Sequence, residues 1–254
     1  MITVCILAKN SAATLEETLE STRNFAEVLL LDNGSTDATL DIARRFSNVR
    51  IVEHPFIGFG RLRNKAAELA SNEWILALDT DEVLSPPLLS ELNALSLELK
   101  TIYSMPRENY YNGKHIKGCG WHPDRVLRLY NRRWTRYGDS QVHESLQIPP
   151  GGLEQTLSAP ILHTPFRSAA EFLAKMQHYS TLFAQEHAGK KRSSCAKAFF
   201  HGAWAFVRSY LIQRGCLLGA EGFAVSLYNA NSVIYKYLKL SEKNKQIDFI
   251  TNLK

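Results

Sequence analysis

Residues 75–84 read ILALDTDEVL, an apolar run that ends abruptly in two aspartates one residue apart. A short run that is apolar throughout is typical of a strand covered on both faces, as in a parallel sheet between helices. In an extended backbone, residues i and i+2 point to the same side, so Asp79 and Asp81 would face one spot and repel each other. Such a pair is tolerable if a cation lies between the carboxylates or if both face water.

Three further apolar runs precede this one, and amphipathic segments with helical spacing separate them. The runs are ITVCILA at 2–8, EVLLLD at 27–32 and VRIVEH at 49–54. After the fourth run, Ser85 followed by Pro86 predicts the start of another helix. Strands that alternate with helices in this way predict an α/β fold with an open, mostly parallel sheet flanked by helices.

The pattern changes after about residue 100. Asn112-Gly113 predicts a hairpin turn, and DRVLRLYNRRWTRYGDS predicts a further pair of strands. From about residue 166 the signals are helical. We therefore predict an α/β domain over 1–165, with a nucleotide-binding half over 1–100 and a mixed-strand half over 101–165. A helical C-terminal region follows over 166–254.

Cysteine usage and charge limit the compartment and the partners. The four cysteines show no CxxC or Cys/His metal spacing, which favours a reducing compartment without structural zinc. The N-terminus is typical of a strand and not of a signal peptide, and no run reaches the ~18 apolar residues of a spanning helix. Residues 185–254 hold 11 Lys and Arg against 4 Asp and Glu, a net charge of +7. This excess predicts an acidic partner for the C-terminal region.

The ends of the predicted strands carry polar residues, and ligands of open α/β sheets bind at those ends. A dinucleotide site would need GxGxxG after the first strand, but AKNSAATLE contains no glycine, and the chain has no GxxxxGK[ST] loop. Phosphates must then be neutralised in another way. The Asp79-Thr80-Asp81 motif predicts a site for Mg²⁺ or Mn²⁺, which prefer carboxylate and phosphate oxygens.

Several spaced motifs resemble those of the inverting, GT-A-fold glycosyltransferases of family 2. They are ILAKN, EVLLLDNGSTDATLDIA, GFGRLRNKAAELA and WILALDTDEVL, within residues 1–85. In the second half, WHPDRVLRLYNRR, VHES and LHTPFRSAAEFLAKMQHY resemble the lipopolysaccharide-core β-1,4-glucosyltransferases. The resemblance implies a catalytic domain over 1–165 that moves glucose from UDP-glucose, with inversion, onto a lipid-anchored oligosaccharide such as inner-core heptose.

The resemblance also implies roles in binding the nucleotide sugar. Asp32 would bind the uracil, with a turn cap as the structural alternative, and Ala8 and Asn10 would line the nucleoside pocket. Arg63, or else Arg61, would reach the pyrophosphate. Along the DxD motif, Asp79, Thr80 and Asp81 would contact the donor, Asp79 at the ribose or metal and Asp81 as a metal ligand.

An inverting transfer needs a base that takes the proton of the acceptor hydroxyl. The chain lacks the E-D motif of many family 2 members, and the nearest equivalent is Val142-His143-Glu144. We predict Glu144 as the base and His143 as a metal or phosphate contact, with Asp124 and Asp139 as alternatives. Two further residues, Trp121 and Arg128, would shape the acceptor and donor pockets. For these the alternatives are an aromatic core residue and an exposed strand arginine.

The basic tail predicts peripheral docking on the inner face of the cytoplasmic membrane. Its aromatic residues and lysines suit an anionic interface, although an aromatic core is the alternative. The aromatic residues are Phe199, Phe200, Trp204, Phe206 and Tyr210. A sugar nucleotidyltransferase would need a glycine-rich basic loop after the first strand. A nucleic-acid-binding protein would carry its charge on the α/β half, so we expect no nucleic acid partner.

Overall fold

The computed structural model describes residues 1–138 and 145–252 and divides the chain into two compact units. The first unit comprises Met1–Glu108 and Asp124–His163, and the second comprises Asn109–Pro123 and Thr164–Lys254. The segment 109–123, which we expected within the α/β domain, therefore groups with the C-terminal helices.

The first unit contains an open mixed sheet with helices packed against it. Its elements are β1 (Ile2–Ala8), α1 (Leu15–Ser21), β2 (Glu27–Asp32), α2 (Thr39–Ala43), β3 (Val49–Glu53), α3 (Phe59–Leu69), β4 (Trp74–Asp79), β5 (Glu82–Leu84), α4 (Pro86–Ala94), β6 (Thr101–Tyr111, whose last three residues belong to the second unit), β8 (Arg125–Asn131), β9 (Leu153–Thr156) and β10 (Ile161–His163). The strand order is β3-β2-β1-β4-β8-β6-β10-β5. Strands β1 to β4 are parallel, and β8 is antiparallel to β4. The predicted fold class is confirmed.

The central strands are buried on both faces, which explains why their sequences are apolar throughout. In β1, Val4 and Ile6 enter a core cluster that also holds Leu15 and Leu19 of α1. The side chain between them, Cys5, enters a second cluster with Leu62 of α3. Both helix-covered faces of the sheet therefore exclude water along β1.

The predicted start of α4 is also confirmed. Ser85 caps the helix, because its side chain accepts a hydrogen bond from the backbone N–H of Leu88, and Pro86 occupies the first turn.

The predicted strand pair after residue 124 is half wrong. β8 forms, but among the described residues the following chain makes only an isolated bridge, between Tyr137 and Leu146. The reason lies in Asn64 of α3, whose side chain donates to the backbone oxygen of Tyr137 and accepts from its N–H, at 2.9 Å each. The N–H of Gly138 donates to the backbone oxygen of Ser145 at 3.0 Å. This hydrogen bond joins the residues that come directly before and directly after 139–144.

The second unit consists of a hairpin and helices. Its hairpin pairs the end of β6 with β7 (Lys114–His115), and Asn112 and Gly113 at the turn have φ of 50° and 72°, as the Asn-Gly pair predicts. Its helices are α5 (Ala169–His187), α6 (Cys195–Val207), a π-helix (Arg208–Ile212), a 3₁₀-helix (Gly215–Leu218) and α7 (Gly219–Asn252). Among the described residues, none of the helices combines the length and the hydropathy that a membrane span requires.

Candidate active site

The carboxyl ends of β1, β2 and β4 meet at one edge of the sheet, as the sequence predicts. Asn10, just after β1, accepts a hydrogen bond from the backbone N–H of Thr36 at 2.7 Å. Thr80, just after β4, donates to the hydroxyl of Ser11 at 3.1 Å. The first predicted contact, Ala8, is buried and lies opposite Asp32 in the sheet register. Four of the predicted donor-site positions are thus brought together.

Asp32 caps the turn that follows β2. One carboxylate oxygen accepts hydrogen bonds from the N–H groups of Gly34 and Ser35, both at 2.9 Å, and the other accepts from the Ser35 hydroxyl at 2.5 Å. The side chain is buried. The structural alternative, an Asx-type turn, is therefore present, and the uracil contact stays a prediction.

Asp79 lies between two buried arginines. Arg63 of α3 donates to one carboxylate oxygen at 2.6 Å, and Arg128 of β8 donates to the other at 2.5 Å. Both guanidinium groups are buried, whereas about a third of the Asp79 side chain, 35%, is exposed. The alternative of an exposed strand arginine at Arg128 is wrong. Arg63 and Arg128 together fix this carboxylate at the strand end. The predicted contact of Arg63 with the pyrophosphate stays a prediction.

Glu82 extends this arrangement into a network of six charges. It is fully buried and accepts hydrogen bonds from Arg128 at 2.5 Å and from Arg107 at 3.1 Å. Arg107 also donates to Asp124 at 2.8 Å. Three arginines and three carboxylates therefore balance each other beside the DxD motif. Neither Glu82 nor Arg107 was predicted as a site residue, although Glu82 directly follows Asp81.

The network controls the protonation of Asp79 and Arg128. Partial burial would raise the pKa of Asp79, but the charges of Arg128 and Arg63 hold that pKa well below its ordinary value. Burial would lower the pKa of Arg128, whereas Asp79 and Glu82 raise it. Asp79 is therefore an anion and Arg128 a cation throughout the physiological range.

Asp81 has a different neighbour, the imidazole of His163. β10 pairs antiparallel with β5, which places His163 opposite Glu82 in register and its Nε2 3.5 Å from Asp81 Oδ2. Within the described ranges no group of three or more metal-binding side chains occurs. One carboxylate and one imidazole still fit a divalent cation whose remaining ligands are substrate phosphates and water. His163 was not predicted as a site residue, although it lies in the LHTPFR motif that carries part of the family resemblance.

Comparison with known proteins identifies the chain. The sequence profile of Glycosyl transferase family 2 matches residues 3–151, more than half of the chain. The chain belongs to glycosyltransferase family 2.

Similar proteins support this assignment along nearly the whole chain. The family 2 chain is 30% identical over 247 residues to the lipopolysaccharide core biosynthesis glycosyltransferase LpsC of Rhizobium meliloti, covering 92% of this chain and 88% of that protein. It is 27% identical over 266 residues to an uncharacterized glycosyltransferase of Rickettsia bellii, covering 96% and 87%. The mannosyltransferase PcManGT from Pyrobaculum calidifontis, solved with GDP-Man and Mn²⁺, shares the fold with a TM-score of 0.50 and 15% identity, covering 96% and 86%.

The remaining predicted positions of this glycosyltransferase lie in the second unit, in the arginine network or outside the described residues. Glu144, His143 and Asp139 fall in 139–144, which the structure does not describe. Trp121 belongs to the second unit, where it packs against Phe166 with ring centroids 5.9 Å apart. Its aromatic-core alternative is therefore present. Asp124, the other alternative base, pairs with Arg107 at 2.8 Å, and its role stays a prediction.

Proposed function

We propose that this family 2 glycosyltransferase moves glucose from UDP-glucose, with inversion, onto a lipid-anchored oligosaccharide such as inner-core heptose of lipopolysaccharide. The observation that carries the proposal is the strand edge at which Asp81 and His163 lie together beside the arginine-held Asp79. The name of the R. meliloti relative, 30% identical, supports the acceptor class.

Asp81 and His163 would hold Mg²⁺ or Mn²⁺, with His143 as a further predicted contact. The bound cation would supply positive charge to the diphosphate of the leaving nucleotide. Asp79 would accept a hydrogen bond from the ribose, because Arg63 and Arg128 keep its carboxylate charged and fixed in direction. Thr80 and Asn10 would border the nucleoside, and Asp32 would accept a hydrogen bond from the uracil.

Glu144 would act as the base. It would take the proton of the acceptor hydroxyl while that oxygen attacks the anomeric carbon on the face opposite the UDP. We expect Glu144→Gln to lower kcat by ~10²-fold or more with donor affinity nearly unchanged. If this variant is near wild type and either Asp139→Asn or Asp124→Asn is inactive, the base is the aspartate whose replacement abolishes activity.

The metal assignment is tested by calorimetric titration of UDP with and without Mn²⁺. We expect Asp81→Asn and His163→Ala each to abolish the enhancement of UDP binding by Mn²⁺. His178→Ala is the matched control, because His178 is exposed and lies in the other unit. Full transfer activity in excess EDTA would contradict metal dependence.

A hydrolysis screen across UDP- and GDP-sugars identifies the donor. An oligonucleotide titration at moderate salt should show no binding.

We also propose that the second unit docks on an anionic membrane surface at the inner face of the cytoplasmic membrane. By sequence this unit holds 15 Lys and Arg against 5 Asp and Glu, a net charge of +10. The first unit holds 15 against 20, a net charge of −5. Basic residues near an anionic surface contribute about 1 kcal/mol each, and the attraction decays within a Debye length.

The orientation of α6 supports this docking. The helix buries only its small residues Ala198 and Gly202, whereas Phe199, Phe200 and Trp204 are 65%, 69% and 57% exposed. The aromatic-core alternative therefore does not hold for these three side chains. An apolar helix face that points outward, flanked by cations, is the arrangement of helices that lie in a membrane interface.

Flotation with vesicles tests the docking. We expect binding to vesicles that contain anionic lipid, less binding at high salt, and a loss of binding in Phe199→Ser/Trp204→Ser and in Lys190→Ala/Lys191→Ala/Arg192→Ala. Phe56→Ser is the control, because Phe56 is half exposed but lies in the first unit. Absence of flotation at low salt would overturn the docking, and concentration-dependent dimers without vesicles would assign the α6 face to a second copy of the chain.

A further inference from the structure

A cavity of about 430 Å³ lies in the first unit along α3. Its walls come from α3, from the end of β8 and from the chain that follows β8, and they include Arg61, Lys65, Tyr130, Arg132 and Arg136. Arg63 of the same helix contacts Asp79, and residues two positions away along a helix are rotated by about 200°. Arg61 and Lys65 therefore point away from the Asp79 side of α3.

The cavity carries an excess of positive charge, since its lining has four basic side chains and one acidic one, Glu68. Lys65 pairs with Glu68 at 3.3 Å. Arg132 donates to the carbonyl oxygens at the end of α3, including those of Glu68 at 3.0 Å and Ala70 at 2.8 Å. The side chains of Arg61 and Arg136 make no hydrogen bond or ion pair with any part of the chain that the structure describes. Two guanidinium groups in one cavity are thus available to a ligand.

The walls are held in place by buried contacts. Asn64 binds both backbone polar groups of Tyr137, and Thr135 donates to the backbone oxygen of Gln147. Tyr130 is buried in the wall, and among the described residues its hydroxyl has no hydrogen-bond partner. An unpaired buried hydroxyl is unfavourable unless a ligand or water reaches it. The cavity is therefore a formed site whose available polar groups are hydrogen-bond donors.

We propose that this cavity binds an oxyanion, a phosphate or carboxylate group carried by the acceptor glycan at a position remote from the attacked hydroxyl. Guanidinium groups match the planar or tetrahedral oxygens of such anions, whereas a neutral sugar would leave both charges without a partner. The proposal rests on the proposed function and names the acceptor as an acidic oligosaccharide. The acceptor is favoured over the donor diphosphate because Arg61 and Lys65 of the cavity wall point away from Asp79, beside which the donor is proposed to bind.

Calorimetric titration with a hexose phosphate tests the proposal. We expect glucose 6-phosphate to bind at low ionic strength in the presence of saturating UDP and Mn²⁺, and glucose not to bind. Arg61→Gln and Arg136→Gln should each weaken glucose 6-phosphate binding by about 10-fold or more, because each removes a charge-assisted contact. Arg133→Gln is the matched control, because Arg133 pairs with Glu73 at 2.6 Å and lies outside the cavity lining.

Three results would overturn the proposal. Equal binding of glucose and glucose 6-phosphate would show that charge is not recognised. Competition by UDP would assign the site to the donor diphosphate. An equal loss of affinity in Arg133→Gln would show non-specific attraction to the protein surface. UDP binding is measured in the same variants, so a failure of the donor site is seen separately from a failure of this cavity.

Discussion

Removal of the buried carboxylate of Glu82 should destabilise the first unit strongly. Glu82 is fully buried and receives hydrogen bonds from Arg128, Arg107 and the backbone N–H of Asp79. Glu82→Ala leaves three arginines against two carboxylates in the network, so one buried positive charge lacks its counterion. Breaking a buried ion pair from one side costs about 3–5 kcal/mol. Glu82→Gln keeps an oxygen for the Asp79 N–H but loses the charge, and we expect a cost of about 2–3 kcal/mol.

Urea unfolding measures both values, with the midpoint expected to fall and the slope m expected to stay constant. Glu20→Ala is the control, because Glu20 makes a comparable arginine contact, to Arg23, on the exposed surface of α1 and should leave the midpoint unchanged. A second test is Glu82→Gln combined with Arg107→Gln, which restores equal numbers of opposite charges. The double variant should be more stable than the sum of the single effects by about 1 kcal/mol or more. A loss below about 1 kcal/mol in Glu82→Ala, or strict additivity in the double variant, would refute the charge-balance reasoning.

Three further predictions concern residues outside the network. Burial raises the pKa of Glu27, but hydrogen bonds from Thr3, Ser71 and Arg50 lower it to about 2. Glu27→Gln should therefore lower the free energy of unfolding by about 1–3 kcal/mol at neutral pH. That difference should shrink in unfolding curves as the pH falls from about 4.5 through 2, because the charged form is the stabilised one. Burial raises the pKa of the Cys5 thiol to about 12, and Cys119 is buried as well, whereas Cys195 and Cys216 are exposed. A thiol reagent should therefore modify only the two exposed cysteines in the native protein and all four cysteines after unfolding. A Cβ at Gly202 would lie 2.2 Å from Ile234 Cγ1, so Gly202→Ala should lower the free energy of unfolding by about 1–3 kcal/mol, whereas Ala203→Ser on the exposed face of α6 should not.

Periodicity in the sequence was sufficient to predict strands β1 to β4 of the first unit and the helices between them. Fully apolar runs such as that of β1 predict strands covered on both faces, and parallel strands necessarily bring their carboxyl ends to one edge. The positions of Asn10, Asp32 and Asp79 at that edge follow from this geometry alone. The hairpin at Asn112-Gly113 was equally predictable, because its turn depends on two adjacent residues that tolerate positive φ.

The partners of the site residues could not be predicted in the same way. His163 reaches Asp81 only because β10 pairs with β5 in one particular register, and neither strand is longer than three residues. Arg128 looks like a surface arginine in sequence, but the antiparallel pairing of β8 with β4 places it beside Asp79. Such contacts depend on the pairing of strands far apart in the chain, which no local pattern encodes.

The stem formed by Tyr137, Gly138, Ser145 and Leu146 has a consequence for how this enzyme can change over evolution. Its base is fixed to the protein by Asn64, independently of what lies between Gly138 and Ser145. The entropy of closing a loop grows slowly with length, by about 0.6 kcal/mol for each doubling. Residues can therefore be inserted or exchanged between Gly138 and His143 while the strand edge that carries Asp79 and Asp81 and the proposed base Glu144 are both kept. Descendants of one such chain can diverge in what they glycosylate and still inherit the same nucleotide-binding half unaltered.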